Sequence, residues 1–169
     1  MTGPQMPLEL AVTLPASAYD YGKRASGETH GVVLTKPHVV DLILDLTGYT
    51  ADQDLAASTL LEPSCGHGAF LVPAVRRLLD SAKRRRQKPR SLSDAISAFD
   101  IEPDHVAASR EATRTALESE GVKPTEAAML AERWITCADF LLAQPKRPAD
   151  FVVGNPPYIR IEQLPPTKN

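Results

Sequence analysis

Asn155-Pro156-Pro157-Tyr158 is the segment of this sequence best suited to chemistry, and it directly follows the apolar run from Asp150 to Gly154. The two prolines fix the backbone and remove two N–H donors. The Asn155 side-chain oxygen and a neighbouring carbonyl then form two acceptors for one amino group, and Tyr158 offers a ring for stacking a base. The alternative is a plain turn, but a turn needs no buried strand before it. The segment therefore predicts chemistry at an amino group.

A second candidate site is the loop Glu62-Pro63-Ser64-Cys65-Gly66-His67-Gly68, between a predicted strand and a predicted helix. Two glycines let the backbone turn tightly and approach a ligand, and the helix N-terminus presents unpaired N–H groups. Leu71 takes the place of the third glycine of a dinucleotide-binding turn, which disfavours pyrophosphate. Taken alone, the loop is equally compatible with a tight strand–helix connection.

Two further acidic segments follow predicted strands. Asp100, with Glu102 close by, is placed to accept hydrogen bonds from ribose hydroxyls. Asp139 and Phe140 are suited to an adenine, because the carboxylate accepts from its amino group and the ring packs on its face. The alternatives are acids that cap the helix beginning near Asp104, and a turn aspartate beside a core phenylalanine.

These segments are spaced by alternating strand and helix patterns. Thr35 is the expected N-cap of a helix with Pro37 in its first turn, ending at Gly48. The alternation predicts an α/β fold with a parallel sheet and right-handed crossovers. The remaining predicted helices begin near residue 69 and cover 104–120 and 125–133, and the predicted strands are 59–62, 95–100, the region of 134–135, and 150–154.

The length and composition of the chain limit the classes of protein to which it can belong. The chain has 169 residues and a formal net charge of −2, which suits one domain and gives no independent support for nucleic-acid binding. The basic run from Lys83 to Arg90 is expected to be a solvated surface. Cys65 and Cys137 show no metal-ligand spacing and no disulfide pattern, which favours a reducing cytosol. Because no apolar stretch reaches about 20 residues, we expect no membrane span.

Taken together, these motifs resemble the gamma-type adenine-specific DNA methyltransferases of restriction–modification systems. The resemblance runs from Gly31 to Tyr158 and includes Gly31-Val32-Val33-Leu34-Thr35-Lys36-Pro37, which departs from the family in having Lys36 where proline is usual. It implies a class I, Rossmann-like fold that binds S-adenosyl-L-methionine. By resemblance, the cofactor-binding residues are Thr35, Glu62, Ser64 and Gly66 near the methionine moiety, Asp100 and Glu102 near the ribose, and Asp139 and Phe140 near the adenine, while the catalytic residues are Asn155, Pro156, Pro157 and Tyr158.

The implied activity is methyl transfer to the exocyclic amino group of a flipped adenine in DNA, with no metal. The implied partners are double-stranded DNA and a specificity or second methylase subunit, in a bacterial cytoplasm. Two alternatives stay open. One is a methyltransferase that acts on RNA or on protein glutamine, and the other is a non-catalytic fragment or partner subunit.

The domain organisation expected from the resemblance is incomplete. Residues 1–30 form an irregular lead-in, and residues 31–169 correspond to the N-terminal portion of the catalytic domain. About four of the seven strands of the class I fold are predicted, and no target-recognition segment is found. We therefore expect a fragment or one half of a split enzyme, with the strand before Asn155 at an open sheet edge.

Overall fold

A computed structural model of the chain describes residues 35–143, 145 and 147–156. The predicted lead-in, the first part of the Gly31 motif, and Pro157 and Tyr158 of the tetrapeptide lie outside the described residues. No helix among the described residues combines the length and the apolar character needed to cross a membrane.

The described strands form one parallel sheet. They are β1 Leu60–Glu62, β2 Ile96–Asp100, β3 Ile135–Cys137 and β4 Phe151–Val152, in the spatial order β3-β2-β1-β4. The predicted α/β class and the parallel sheet are confirmed. Strand β4 occupies an edge of this sheet, as the sequence predicts, and the side chain of Val152 on it is exposed.

Four α-helices connect and cover the strands in the described part of the chain: α1 Pro37–Leu46, α2 Leu71–Arg84, α3 Pro103–Ser119 and α4 Pro124–Trp134. A proline is the first residue of three of them, because its fixed φ suits the helix and its missing N–H leaves no helical bond unmade. Two short 3₁₀ helices cover Leu55–Ala57 and Pro89–Leu92.

Most predicted boundaries differ from the observed ones by one or two residues, and three of these differences are described here. The N-cap of α1 is Lys36 rather than Thr35, because Pro37 takes the first helical position. Helix α2 begins at Leu71 rather than near Ala69, because the preceding loop holds Gly68 at a φ of +88°, outside the helical region. Trp134 ends α4 instead of beginning β3.

The core lies between one face of the sheet and the four helices. Leu60, Ile96, Ala98 and Ile135 point to that face, since alternate residues of a strand share a side. They pack with buried residues from each helix: Val40 and Leu44 of α1; Leu71, Val75 and Leu78 of α2; Val106 and Leu117 of α3; and Leu130 and Trp134 of α4. This packing sets the carboxyl ends of the four strands at a common edge, where the candidate residues lie.

Candidate cofactor and catalytic site

The loop after β1 is fastened to the end of β2 by two backbone donors. Cys65 N donates to the Phe99 carbonyl at 2.8 Å, and Gly66 N donates to Asp100 Oδ2 at 2.8 Å. Ser64 lies half-buried between these fastened residues and Glu62. The structure therefore brings the predicted loop residues Glu62, Ser64 and Gly66 together with Asp100.

Asp100 is buried and its carboxylate accepts from several directions. In addition to the bond from Gly66 N, Asp100 Oδ1 accepts from Glu102 N at 3.0 Å and lies 3.3 Å from His105 Nδ1. Glu102 is the N-cap residue of α3 but makes no side-chain cap bond. The alternative in which these acids cap the helix is therefore wrong for Glu102. Asp100 organises the loop and the start of α3 at the same time.

Replacing Asp100 by asparagine is expected to loosen this loop. The amide puts an NH₂ where one of the backbone donors now finds an oxygen, so one buried hydrogen bond is lost and the negative charge disappears. We expect the free energy of unfolding to fall by about 1–3 kcal/mol. Urea denaturation measures this, with Glu102→Gln as the control that removes a nearby charge without breaking a described hydrogen bond. Equal effects of the two variants would contradict the role given to Asp100.

Gly68 closes the loop in a conformation and a space that only glycine accepts. Its φ is +88°, and a methyl group at its Cα would lie 3.2 Å from Ser109 Oγ on α3. Gly121 has the same φ of +88° but nothing within 4 Å of that position. Comparing an alanine substitution at Gly68 with one at Gly121 therefore separates the cost of backbone strain from the cost of steric crowding.

Gly68→Ala is expected to lower the free energy of unfolding by about 2–4 kcal/mol, since strain and overpacking add. Gly121→Ala is expected to cost about 1–2 kcal/mol from strain alone. Ser109→Ala, added to Gly68→Ala, is expected to recover part of the difference. Urea denaturation of the four proteins checks this, and identical losses for the two glycines would show that the Ser109 contact is unimportant.

Glu62 is the buried acid of the site. Its side chain is only 1% exposed, and among the described residues Oε2 has no hydrogen-bond partner. Burial raises the pKa of the Glu62 carboxyl well above its ordinary value, and the nearby charge of Asp100 raises it further. A buried acceptor without a donor is costly, so this oxygen is suited to a ligand that donates or carries positive charge.

Cys65 in the same loop is chemically inert. Its side chain is buried, and burial together with the charge of Glu62 raises the pKa of the thiol to about 12. Because the thiolate is the nucleophilic form, the thiol is unreactive near neutral pH. Cys65 is therefore a small buried residue of the loop and not a nucleophile.

Asp139 and Phe140 lie in the turn after β3, beside the end of β2. Ala138 N donates to the Asp100 carbonyl at 2.9 Å, which places the turn next to Asp100. Asp139 Oδ1 accepts from Leu141 N at 2.9 Å, and the ring of Phe140 packs 5.6 Å from that of Phe99. Both residues thus have a local role in the turn, and the adenine contacts remain a prediction.

Asn155 follows β4 and meets the start of α1. Its Nδ2 donates to Thr35 Oγ1 at 3.2 Å, and both residues are half-buried. Gly154 before it has a φ of +154°, and a methyl group there would lie 3.8 Å from Glu62 Cγ. The structure therefore brings Thr35, Glu62 and Asn155 to one edge of the sheet. Pro156 is exposed beside them.

Two residues of this arrangement have no counterpart in the sequence predictions. His105 reaches Asp100 from α3, and no local pattern marks it out. Asp150 positions β4, because its Oδ2 accepts from Thr59 N at 2.8 Å while its own N donates to the Thr59 carbonyl at 2.9 Å. The signal available in the sequence was an acid directly before an apolar strand.

The structure also has a groove of about 170 Å³ away from these residues. It is lined by Thr59, Ser93 and Asp94, which precede β1 and β2, and by Arg133 and Arg147. The lining continues along the sheet through Ser97 to Phe99 and Thr136, so the groove follows the sheet face opposite the core, whereas ligands of open parallel sheets bind in the loops beyond the carboxyl ends. The candidate site is the loop edge and not this groove.

A four-stranded parallel sheet with helices, a glycine loop after β1 and acids after β2 are consistent with a Rossmann-like methyltransferase fold.

Over 141 residues the chain is 44% identical to the Type II methyltransferase M.PaeR7I of Pseudomonas aeruginosa, covering 82% of this chain and 25% of that protein. It is 46% identical over 143 residues to the Type II methyltransferase M.BstVI of Geobacillus stearothermophilus, covering 80% and 26%. It is 40% identical over 142 residues to the Type II methyltransferase M.XhoI of Xanthomonas vasicola, covering 82% and 26%.

These relatives are methyltransferases by name, and the chain spans about a quarter of their length. No protein-family model matches the sequence.

Proposed function

We propose that this chain contributes the cofactor site and the catalytic asparagine of a DNA methyltransferase of a restriction–modification system, which transfers a methyl group from S-adenosyl-L-methionine to the amino group of adenine. The observation that carries the proposal is the meeting of Asn155 with the Glu62 loop at the carboxyl edge of the sheet. The similarity to Type II methyltransferases over four fifths of the chain supports the same class of reaction.

The residues at this edge fit a cationic cofactor with a ribose. The unpartnered Glu62 Oε2 is a buried acceptor that suits an ammonium or sulfonium group. Asp100, held in place by Gly66 and Glu102, is a buried carboxylate whose remaining lone pair can accept a ribose hydroxyl. When bound, the cofactor supplies an electrophilic methyl group. Ser64, Glu102, Asp139 and Phe140 complete the proposed cofactor contacts.

In the proposed mechanism, the protein supplies acceptors and orientation. A flipped adenine presents its amino group at the end of β4, because a base within the duplex is out of reach. The Asn155 side-chain oxygen and the Pro156 carbonyl accept from the amino hydrogens. This directs the nitrogen lone pair toward the methyl group, and holding the two reactants in line supplies much of the rate. Pro157 keeps this backbone rigid, and Tyr158 stacks on the base.

The partners in this proposal are double-stranded DNA and a specificity or second methylase subunit. The basic run, which begins in the last turn of α2, has exposed cationic side chains: Lys83 pairs with Glu120, and Arg85 lies near Asp54. Some of its charge is therefore used within the protein, and we assign the run no DNA contact.

Methyl transfer from tritiated cofactor tests the proposal. The protein in its natural length is incubated with unmethylated DNA, with RNA and with protein substrates, and the labelled product is identified by mass spectrometry. We expect label in DNA as N6-methyladenine. Label in RNA or in glutamine would overturn the choice of substrate, and a methylated cytosine would overturn the choice of base.

A further inference from the structure

The contact between Thr35 and Asn155 joins residues 120 positions apart in the chain. Asn155 Nδ2 donates to Thr35 Oγ1, and this is the hydrogen bond that the structure gives the Asn155 side chain among the described residues. Among the described residues, no hydrogen bond is made to Asn155 Oδ1. The contact therefore separates the two ends of the amide, with the donor end used inside the protein and the acceptor end left for another molecule.

The two ends of an asparagine amide have opposite chemistry, which makes the orientation of Asn155 important. The oxygen accepts hydrogen bonds, whereas the nitrogen offers two donors. An amino group of a substrate also donates, so it pairs with Oδ1 and is opposed by Nδ2. In the structure Thr35 Oγ1 accepts from Nδ2, and this arrangement leaves Oδ1 available to such a substrate.

Thr35 is a firm partner because the helix that follows it is anchored at several points. Val40 and Leu44 of α1 are buried in the core. The Arg77 guanidinium of α2 contacts Asp45 Oδ1 at 2.6 Å and also donates to the Asp41 carbonyl at 3.1 Å. These contacts hold the middle and C-terminal half of α1 against the core, and Thr35 lies two residues before the first residue of this helix.

The backbone before Asn155 is held as far as Val153, whose N donates to the Leu61 carbonyl at 3.0 Å and whose side chain is buried. Strand β4 pairs with β1 over only two residues and lies at an edge of the described sheet. Gly154, directly before Asn155, has a φ of +154° and has no side chain to restrain it. The hydrogen bond to Thr35 therefore restrains the Asn155 amide from outside its own strand.

We propose that Thr35 is a positioning residue for Asn155: its hydroxyl oxygen holds Nδ2 and thereby presents Oδ1 to the amino group that is methylated. This inference rests on the function proposed above for Asn155. It gives Thr35 a role in the rate of transfer, which is different from a contact with the cofactor's methionine end. The two roles predict different kinetics.

Thr35→Val and Thr35→Ser in the natural-length protein test this inference. Valine keeps the shape of threonine and removes the hydroxyl, whereas serine keeps the hydroxyl. We expect Thr35→Val to lower the single-turnover methylation rate by about 10–100-fold, since a misplaced reacting group costs factors of this size. We expect the cofactor Kd to stay within about threefold of wild type, and Thr35→Ser to keep most of the rate.

Three results would overturn the inference: an unchanged rate for Thr35→Val, equal losses for valine and serine, or a loss that lies in the cofactor Kd. Thermal unfolding shows whether Thr35→Val is folded, and Thr35→Ala, which also lacks the hydroxyl, must reproduce the rate loss. The identity of the wild-type product is measured separately. If that product is a different methylated amino group, the proposed substrate fails while the comparison of Thr35 variants still decides the inference.

Discussion

Replacing Asn155 by alanine is expected to reduce methylation by about 10³-fold or more, because the reaction loses the acceptor that orients the amino group. Asn155 lies at the end of β4 and contacts Thr35, whereas the buried acids of the cofactor loop belong to β1 and β2. The cofactor Kd should therefore stay within a few-fold of wild type. Single-turnover methylation and equilibrium cofactor binding measure the two quantities on the same protein.

The division of roles between Asn155 and the loop is what this experiment decides. A Kd that rises as much as the rate falls would show that Asn155 binds the cofactor. The loss of methylation rate in Asn155→Ala is compared with the loss in Thr35→Val, because the valine variant keeps the Asn155 amide and removes only its hydrogen-bond partner. We expect the alanine variant to be the more severely impaired of the two.

Glu62→Gln is expected to have opposite effects on stability and on cofactor binding. In the cofactor-free wild-type protein the Glu62 carboxyl is buried, and its Oε2 has no hydrogen-bond partner among the described residues. At pH 8, which is above the ordinary pKa of a glutamate, burial and the charge of Asp100 both oppose its ionisation. Glutamine has the same shape and no charge. We expect the free energy of unfolding of the cofactor-free protein to rise by about 1–3 kcal/mol at this pH. We expect the affinity for the cationic cofactor to fall by about tenfold or more.

The raised pKa of Glu62 determines how the free energy of unfolding changes with pH. The pKa of Glu62 is raised in the folded protein by burial first and by the charge of Asp100 second. Between its ordinary value and the raised value, the folded state binds a proton that the unfolded state has released. The free energy of unfolding contributed by this group is therefore greatest at low pH and falls as pH rises through that window.

Urea denaturation at several pH values checks this for wild type and Glu62→Gln. The two proteins should have similar stability near pH 4 and diverge as the pH rises. Glu102→Gln is the matched control, because it removes one carboxylate that is half-buried near the same edge. We expect its change to stay within about 0.5 kcal/mol at every pH. A Glu62→Gln protein that is less stable than wild type at pH 8 would contradict the account.

The sequence alone was enough to locate the elements of the described fold. Apolar runs such as Ile96–Asp100 and the proline at the start of α1 are local signals, and the described strands and α-helices formed within about two residues of where the sequence predicted them. One of the errors has a cause outside the local sequence. The start of α2 moved to Leu71 because Gly68 holds a backbone conformation that depends on its neighbours, including Ser109 on α3.

Residue types also carried part of the site. Glycines after β1 and an acid after β2 predict a ligand loop, since parallel strands place their carboxyl ends at one edge. The tertiary structure decided which hydrogen bonds each of these residues makes. Asp100 is used to hold Gly66 and Glu102, and Asp139 is used in its own turn, as the simpler interpretation of that segment has it.

Only the tertiary structure brought Thr35 to Asn155 and left Glu62 Oε2 without a partner. Both features arise from the sheet order, in which β1 lies between β2 and β4 although β4 is last in sequence. Local patterns determine which segments become strands and helices, because those depend on near neighbours. The choice of contacts between distant segments depends on how the whole core packs, and no window of sequence contains that information.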